Sequence, residues 1–476
     1  MTASPNGAST AAEIIRAGAP ALCRPWPRFD LSPDAWRAMA AALAAEPGLA
    51  FLALWADTQQ VHALFHAGAP LIASAPVEAG LYAALSPARP GAALFERAVS
   101  DLWGHQAADA TETRPWLDHG AWTMLRPLSD RPVPNAGVPE VPEMAAADGE
   151  ALGFGPLPPG WATPSHWRMA VVGTQVVQAE ARFGYAHRGV LGLMRGKSPQ
   201  GAARLVARID GTATCAHAAA FARAVEAALE LPPPPRAAAL RTAMVLIERV
   251  AVGLHDLHAT ATALGLGGAP LQRSRERLLE ACDAAFGHRL MMDRIIPGGV
   301  HGDLTPEGAA ILDAALEAVE APALRWPPGL GVLSTADAWR LSPGGIGSRA
   351  SSVPDPLAPG AAMAEGGDVA ARMAMRAEAL LRDALRAREA LSAAPEGIAW
   401  IAPGHASAEG VGVADGPAGR VWHWVRLAGG VVAACFAGDP AWLTLPAVEC
   451  AMQGGSLADA PAVTASFGLR APGMDL

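Results

Sequence analysis

The chain has 476 residues, 51% hydrophobic and 17% charged, more than one core usually serves and too apolar for a disordered chain. Its formal net charge is −9, from 36 Lys+Arg against 45 Asp+Glu with Lys197 the only lysine, which argues against nucleic acid as the main partner. No run approaches the ~18 apolar residues of a membrane span. The cysteines Cys23, Cys215, Cys282, Cys435 and Cys450 contain no C-x-x-C pair, and residues 1–20 lack a basic stretch ahead of an apolar one; the reading is a cytoplasmic protein without a bilayer span, a secretory signal or a thiolate cluster.

Residues 29–125 alternate short apolar runs, at 49–55 and 61–65, with Pro/Gly turns and predict a small α/β unit. Prolines at 127, 132, 134, 139, 142, 156, 158, 159 and 164 then mark a stretch that cannot continue a helix and lacks ladder donors, so an interdomain linker or extended crossover. Segment 168–183 predicts a β-hairpin turning at Gly173-Thr174. In 215–229, Phe221, Val225, Ala228 and Leu229 recur at helical spacing, and prolines 232–235 end the pattern. A longer helix begins at Pro235, whose missing N–H costs nothing in a first turn, with Leu240, Met244, Ile247, Ala251 and Leu254 on one face. Helices over 270–286 and 368–391 follow, then a second hairpin over 420–436 turning at Gly429-Gly430. The sum is an α+β chain: a small α/β domain at 1–125, a Pro/Gly-rich linker at 126–154, and a larger helix-rich domain with β-hairpins at 155–476.

Several strings of the larger domain occur in an order that names a family. They are Gly184-Tyr-Ala-His-Arg-Gly189, Leu205-Val-Ala-Arg-Ile-Asp-Gly211 with His217, Ala220-Phe-Ala-Arg-Ala-Val-Glu226, Leu240-Arg241, Ile247-Glu-Arg-Val250, Phe286-Gly-His-Arg289 with Pro297-Gly-Gly-Val300, Gly366-Gly-Asp-Val369 with Arg372, and Asp439-Pro440 with Trp442. Together they resemble the large subunit shared by energy-converting nickel–iron hydrogenases and the quinone-site subunit of complex I. Glu96-Arg97 followed by Asp101-Leu-Trp-Gly104 resembles the small complex I subunit that docks beside the large one, and fusion of the two modules fits the same family.

The departures from the family pattern carry as much as the matches. A nickel–iron centre takes four soft thiolates, from an early C-G-x-C pair and a late C-x-x-C pair. Asp210 and Ala213 stand at the first pair, Arg470 and Gly473 at the second, so the resemblance is to hydrogenase-related forms without the nickel cysteines, with no hydrogen activation and no metal bound. In complex I the emptied cavity ends a quinone tunnel, with a histidine at a hairpin tip and a tyrosine on the head group. His166 matches the histidine, Gly211 falls at the tyrosine and Ala263 at an expected aspartate.

The resemblance therefore implies His166, Asp210, Gly211, Arg470 and Asp475 as quinone-site candidates, with Asp210, Arg470 and Asp475 converging across one cavity. It implies a buried charge network of His187, Arg188, Glu226, Glu248, Arg249, Asp368 and Arg372. Plain structural readings stand beside these: a backbone-satisfied His166, an Asp210–Arg470 plug in the old cavity, and ordinary ion pairs. His255 and His258 read as a helix face before a metal chelate, and Trp422 and Trp424 as hairpin core. The implied role is a subunit of an NADH–quinone oxidoreductase-like complex with NAD chemistry in the wider assembly, peripheral on the inner face of the plasma membrane. It would bind no cofactor of its own except a possible quinone, with an iron–sulfur small subunit carrying the cluster and antiporter-like membrane subunits as partners. The alternative is a non-catalytic scaffold or coupling subunit, and an open channel to His166 against a filled cavity separates the two.

Overall fold

The computed structural model describes residues 9–476 apart from 136, 138–147, 159, 160, 162, 322 and 359. It opens with α1 (Ala11–Arg16), fixed by a reciprocal cap in which the Thr10 and Glu13 side chains each accept the other's backbone N–H. Three short strands, β1 (Ala19–Ala21), β2 (Cys23–Arg24) and β3 (Arg28–Asp30), lead to α2 (Pro33–Ala42), where Ser32 accepts the Ala35 N–H. The apolar runs become β4 (Ala50–Ala56), β5 (Gln60–His66) and β6 (Pro70–Pro76), buried on both faces in a sheet of order β1-β3-β6-β5-β4. In it only the β3–β6 pairing is parallel. β7 (Leu81–Ala83) and β8 (Gln106–Ala108) pair in parallel around α3 (Ala93–Trp103), and β9 (Met124–Leu125) with β10 (Val133–Pro134) antiparallel. The segment is α/β, as its patterning predicts, with its sheet starting at Ala19.

β11 (Glu150–Phe154), β12 (His166–Val172) and β13 (Gln175–Arg182) form an antiparallel sheet, and the β12–β13 turn falls at Gly173-Thr174 as predicted. β11 corrects the linker assignment: residues 150–154 pair one for one with 167–171, covering a strand edge that would otherwise expose unpaired backbone groups. The rest of the linker is described only in part, since 136 and 138–147 lie outside the described residues.

The helical part runs α4 (Val190–Met194), α5 (Pro199–Val206), α6 (Thr214–Leu229), α7 (Pro235–Ala263) and α8 (Ala269–Phe286). After the pair β14 (Ile295–Ile296) and β15 (Gly299–Val300) come α9 (Pro306–Glu317), α10 (Thr335–Leu341), α11 (Gly345–Arg349) and α12 (Val369–Ser392). The chain closes with β16 (Ala408–Asp415), β17 (Arg420–Ala428), β18 (Val431–Gly438), α13 (Ala441–Met452), α14 (Ala460–Phe467) and α15 (Pro472–Asp475). α7 is buried nearly all round and packs on α12, α8 and α14. α6 lies against β16, where a Cβ at Gly412 would collide with the Ala220 carbonyl of the helix; glycine is what lets helix and strand backbones meet.

The two halves share one core. β2 joins the C-terminal sheet in the order β18-β17-β16-β2, running parallel to β16 with Cys23 opposite Glu409. Trp55 of β4 packs on Trp422, Trp424 and Phe436 at ring distances of 5.3, 5.9 and 5.6 Å. The tryptophans predicted as hairpin core thus seal the seam between the halves. At its edge Arg426 joins Asp57 at 2.6 Å to Glu409 at 2.7 Å, and Glu409 also holds Arg28 at 3.0 Å. Among the described residues no helix is long and apolar enough to cross a membrane.

Candidate functional site

The loop before α6, the end of α7 and the loop after α14 meet at one buried point. Asp210 turns back on its own loop, one carboxylate oxygen accepting the Thr212 N–H at 2.7 Å and the Thr212 hydroxyl at 2.8 Å. Arg470 donates to Asp256, whose other oxygen takes Arg376 at 2.7 Å. Burial pushes the Asp256 carboxyl up, but the guanidiniums of Arg376 and Arg470 outweigh it and hold it below its usual value. Asp210 moves the other way, raised by burial and then by the Asp439 charge. What remains between Asp210, Asp256, Asp439 and Arg470 is a cavity of about 20 Å³, room for about one water.

This donor set does not fit a nickel–iron centre. Carboxylates and guanidiniums stand where soft thiolates are required, and a Cβ at Gly473 would collide with the Asp439 carboxylate, so a cysteine there has no place for its sulfur. Cys215 is buried in α6 with its thiol pushed well above its usual value by burial, and among the described residues no three or more His, Cys, Asp or Glu gather as a metal site.

The other candidates fall in different places. Gly211 is exposed and nothing lies within 4 Å of where its Cβ would be, so the position faces away from the cavity. Asp475 does not converge with Asp210 and Arg470; its carboxylate accepts the N–H groups of Gly184 and Ala186, both at 2.7 Å, and burial raises it to about 6. His166 stands at the loop end of the β11–β12 hairpin, next to the Phe154–Trp167 pair. It is the first residue of β12, opposite Arg182, at the end of the strand away from the Gly173-Thr174 turn. The loop ahead of it does reach the cavity wall, but through Thr163, whose hydroxyl accepts the Ala471 N–H at 2.8 Å. His166 faces Arg168, Arg182 and His119 instead, and burial with these charges holds its imidazole below its usual value. Around it His166 Nδ1, His119 Nδ1, Arg168 Nη1 and Arg182 Nε are buried without a hydrogen-bond partner among the described residues.

The implied charge network resolves into separate clamps. Glu226 and Arg241 form a buried two-pronged pair at 2.9 and 2.6 Å. Glu248 reaches from α7 to cap α6, accepting the Cys215 and Ala216 N–H groups at 2.6 and 3.0 Å, and burial pushes it up to about 8. Arg249 pairs with Asp383 at 2.6 Å. Asp368 caps α12 and Arg372, fully buried, donates to Ser466 Oγ and to the Gly367 and Gly331 carbonyls; the two are neighbours without an ion pair. His187 bonds the Asp475 carbonyl, and Arg188 donates to the Arg208 and Ile209 carbonyls.

Sequence reasoning missed Asp256, Arg376 and the role of Asp439. The available signal was an acidic residue inside a helix apolar on more than one face, which must find a cation when buried. His217, also buried, bridges His423 Nε2 at 3.0 Å and Asp439 at 3.3 Å. His255 and His258 are half-buried on one side of α7.

Residues 188–259 match the family model described as nickel-dependent hydrogenase, and parts of the chain are similar in sequence to components of hydrogenases and of NADH-quinone oxidoreductases. Hydrogenase-4 component G of Escherichia coli is 26% identical over 239 residues, 48% of this chain and 43% of its own length. An NADH-quinone oxidoreductase subunit of Thermosipho melanesiensis is 28% identical over 221 residues, 43% of this chain and 59% of its own. The chain thus spans less than two thirds of either relative. Among solved structures, a chain of the membrane-bound sulfane sulfur reductase, an archaeal respiratory membrane complex, superposes with a TM-score of 0.61 at 21% identity, over 69% of this chain and 99% of that one. That likeness gives the fold alone, an α+β arrangement.

Proposed function

We propose that this chain is the large-subunit-like component of a membrane-associated respiratory complex, acting as a scaffold or coupling element, with no hydrogen or quinone chemistry in the former nickel cavity. The observation that carries this is the closure of that cavity by the Arg470–Asp256–Arg376 cluster, leaving about 20 Å³ where ligand sites measure roughly 300–1,000 Å³. The proposed partners are an iron–sulfur small subunit and membrane subunits that hold the assembly at the inner face of the plasma membrane, with NADH as a candidate source of electrons; the likeness to a chain of a respiratory membrane complex supports this reading.

A second reading keeps a quinone or similar carrier, moved to the His166 side. It is favoured by the unpartnered donors on His166, His119, Arg168 and Arg182, which a carbonyl head group or a docking subunit would satisfy. The test is His166→Ala in the purified complex, with reduction of quinone analogues as readout. The scaffold role predicts unchanged turnover in an intact assembly; a loss of turnover of roughly tenfold or more with assembly intact replaces it by the carrier reading.

A further inference from the structure

Behind the closed site, α7, α11, α12 and the β16–β17 turn enclose a second, larger cavity of about 420 Å³. Six arginines line it, Arg249, Arg349, Arg376, Arg382, Arg386 and Arg420, against the three carboxylates Asp355, Asp383 and Asp415. Those carboxylates are already engaged. Asp383 holds Arg249 at 2.6 Å, Asp415 holds Arg420 at 2.8 Å, and Asp355 accepts the Gly345 and Leu357 N–H groups at 2.8 and 3.0 Å. Arg376 is spent on Asp256.

Three guanidiniums are held weakly or not at all by carboxylates. Among the described residues Arg349 donates only to the Gly345 and Ala362 carbonyls. Arg382 has its nearest carboxylates at 3.7 and 3.9 Å, and Arg386 makes no hydrogen bond or ion pair with a described residue. Burial holds the Arg349 guanidinium below its usual value; Asp355 opposes this, while Arg249, Arg382 and Arg376 add to it. Like charges gathered in a cleft are costly unless a counter-charge sits among them, and the planar guanidinium fork matches phosphate and carboxylate oxygens in pairs.

We propose that this cavity binds a small polyanion carrying phosphate or carboxylate groups, seated between Arg349, Arg382 and Arg386. Because Arg376 lines this cavity and pairs with Asp256, which lines the small one and also takes Arg470, an anion drawn toward Arg376 competes with Asp256. Occupancy of one cavity is then felt at the other. The proposal does not depend on the scaffold reading, since it concerns a different cavity.

The test is calorimetric titration of the purified full-length protein with inorganic pyrophosphate and, separately, with citrate, at low and at physiological salt. Saturable binding of either anion that weakens with salt is expected, and the tighter of the two names the group recognised. Arg382→Gln with Arg386→Gln, both exposed and so compatible with folding, should weaken binding at least roughly tenfold. Arg388→Gln, on the same helix but held by Asp313 at 2.7 Å and outside the cavity, should leave it unchanged. Absence of saturable binding by both anions, or wild-type affinity in the 382/386 double variant, overturns the proposal.

Discussion

Asp256 is the residue on which the closed cavity turns. Both of its oxygens are committed to guanidiniums that are themselves buried, Arg376 and Arg470. Removing the carboxylate leaves two cations in a low-dielectric interior with only the more distant Asp210 and Asp439 to offset them, a situation that costs about 3–5 kcal/mol when a buried pair is broken. Asp256→Ala is accordingly expected to lower the urea midpoint by a loss of that size, a large fraction of a typical stability; a loss under about 1 kcal/mol means the cluster is not held as an ion pair. The residue scale is also where the sequence was least legible. That Asp210, Ala213, Arg470 and Gly473 carry no thiol could be read directly, because absence needs no geometry. That Arg470 would turn to Asp256 and not to Asp210 depends on the rotation of α7 about its axis, which a helix apolar on more than one face does not announce. Asp475 was drawn into the cavity by the same shortage of information: its carboxylate is used up by two backbone N–H groups across a tight loop.

At the scale of elements, local chemistry was enough to find α6, α7, α8 and α12 and both hairpin turns. Each is set by apolar spacing, by proline at an entrance or by glycine at a turn. β11 escaped because its neighbourhood is proline-rich and its pairing partner arrives only with β12. The packing of α6 on β16 gives this scale its own prediction. Since a Cβ at Gly412 meets the Ala220 carbonyl and the Ala224 N–H of the helix, Gly412→Ala must lift the helix from the strand. It is expected to cost roughly 1–3 kcal/mol in unfolding experiments. Gly429→Ala, in a turn with nothing within 4 Å of the added atom but with φ +58°, should cost about 1 kcal/mol from backbone strain alone. Equal losses at the two sites would argue against close packing as the reason for Gly412.

For the whole molecule the buried carboxyls set a pH dependence. Glu248 and Glu449, both pushed up to about 8 by burial from 4.5, hold protons in the folded protein that the unfolded chain has released. Their contribution is complete below pH 4.5 and is lost as pH rises through 8. Buried histidines such as His62 and His423, lowered from 6.5 by burial, act oppositely and weaken the fold below that value. The unfolding free energy should therefore be highest at or below pH 6.5 and fall by roughly 1–3 kcal/mol between pH 7 and 9. Glu449→Gln keeps an oxygen for the Ala181 N–H, which Glu449 accepts at 2.7 Å, and should flatten about half of that decline. A variant with the wild-type slope would remove Glu449 from the account.

The same scale shows why the two halves could be told apart in the sequence but not their join. Apolar patterning marks each half separately, whereas the seam of Trp55 against Trp422 and Trp424 links strands more than 350 positions apart along the chain. β2 makes the same point: Cys23 and Arg24 finish the edge of a sheet whose nearest strand, at Glu409 and Gly410, lies hundreds of positions away along the chain. A protein severed between its halves would therefore release two fragments, each with an unfinished border.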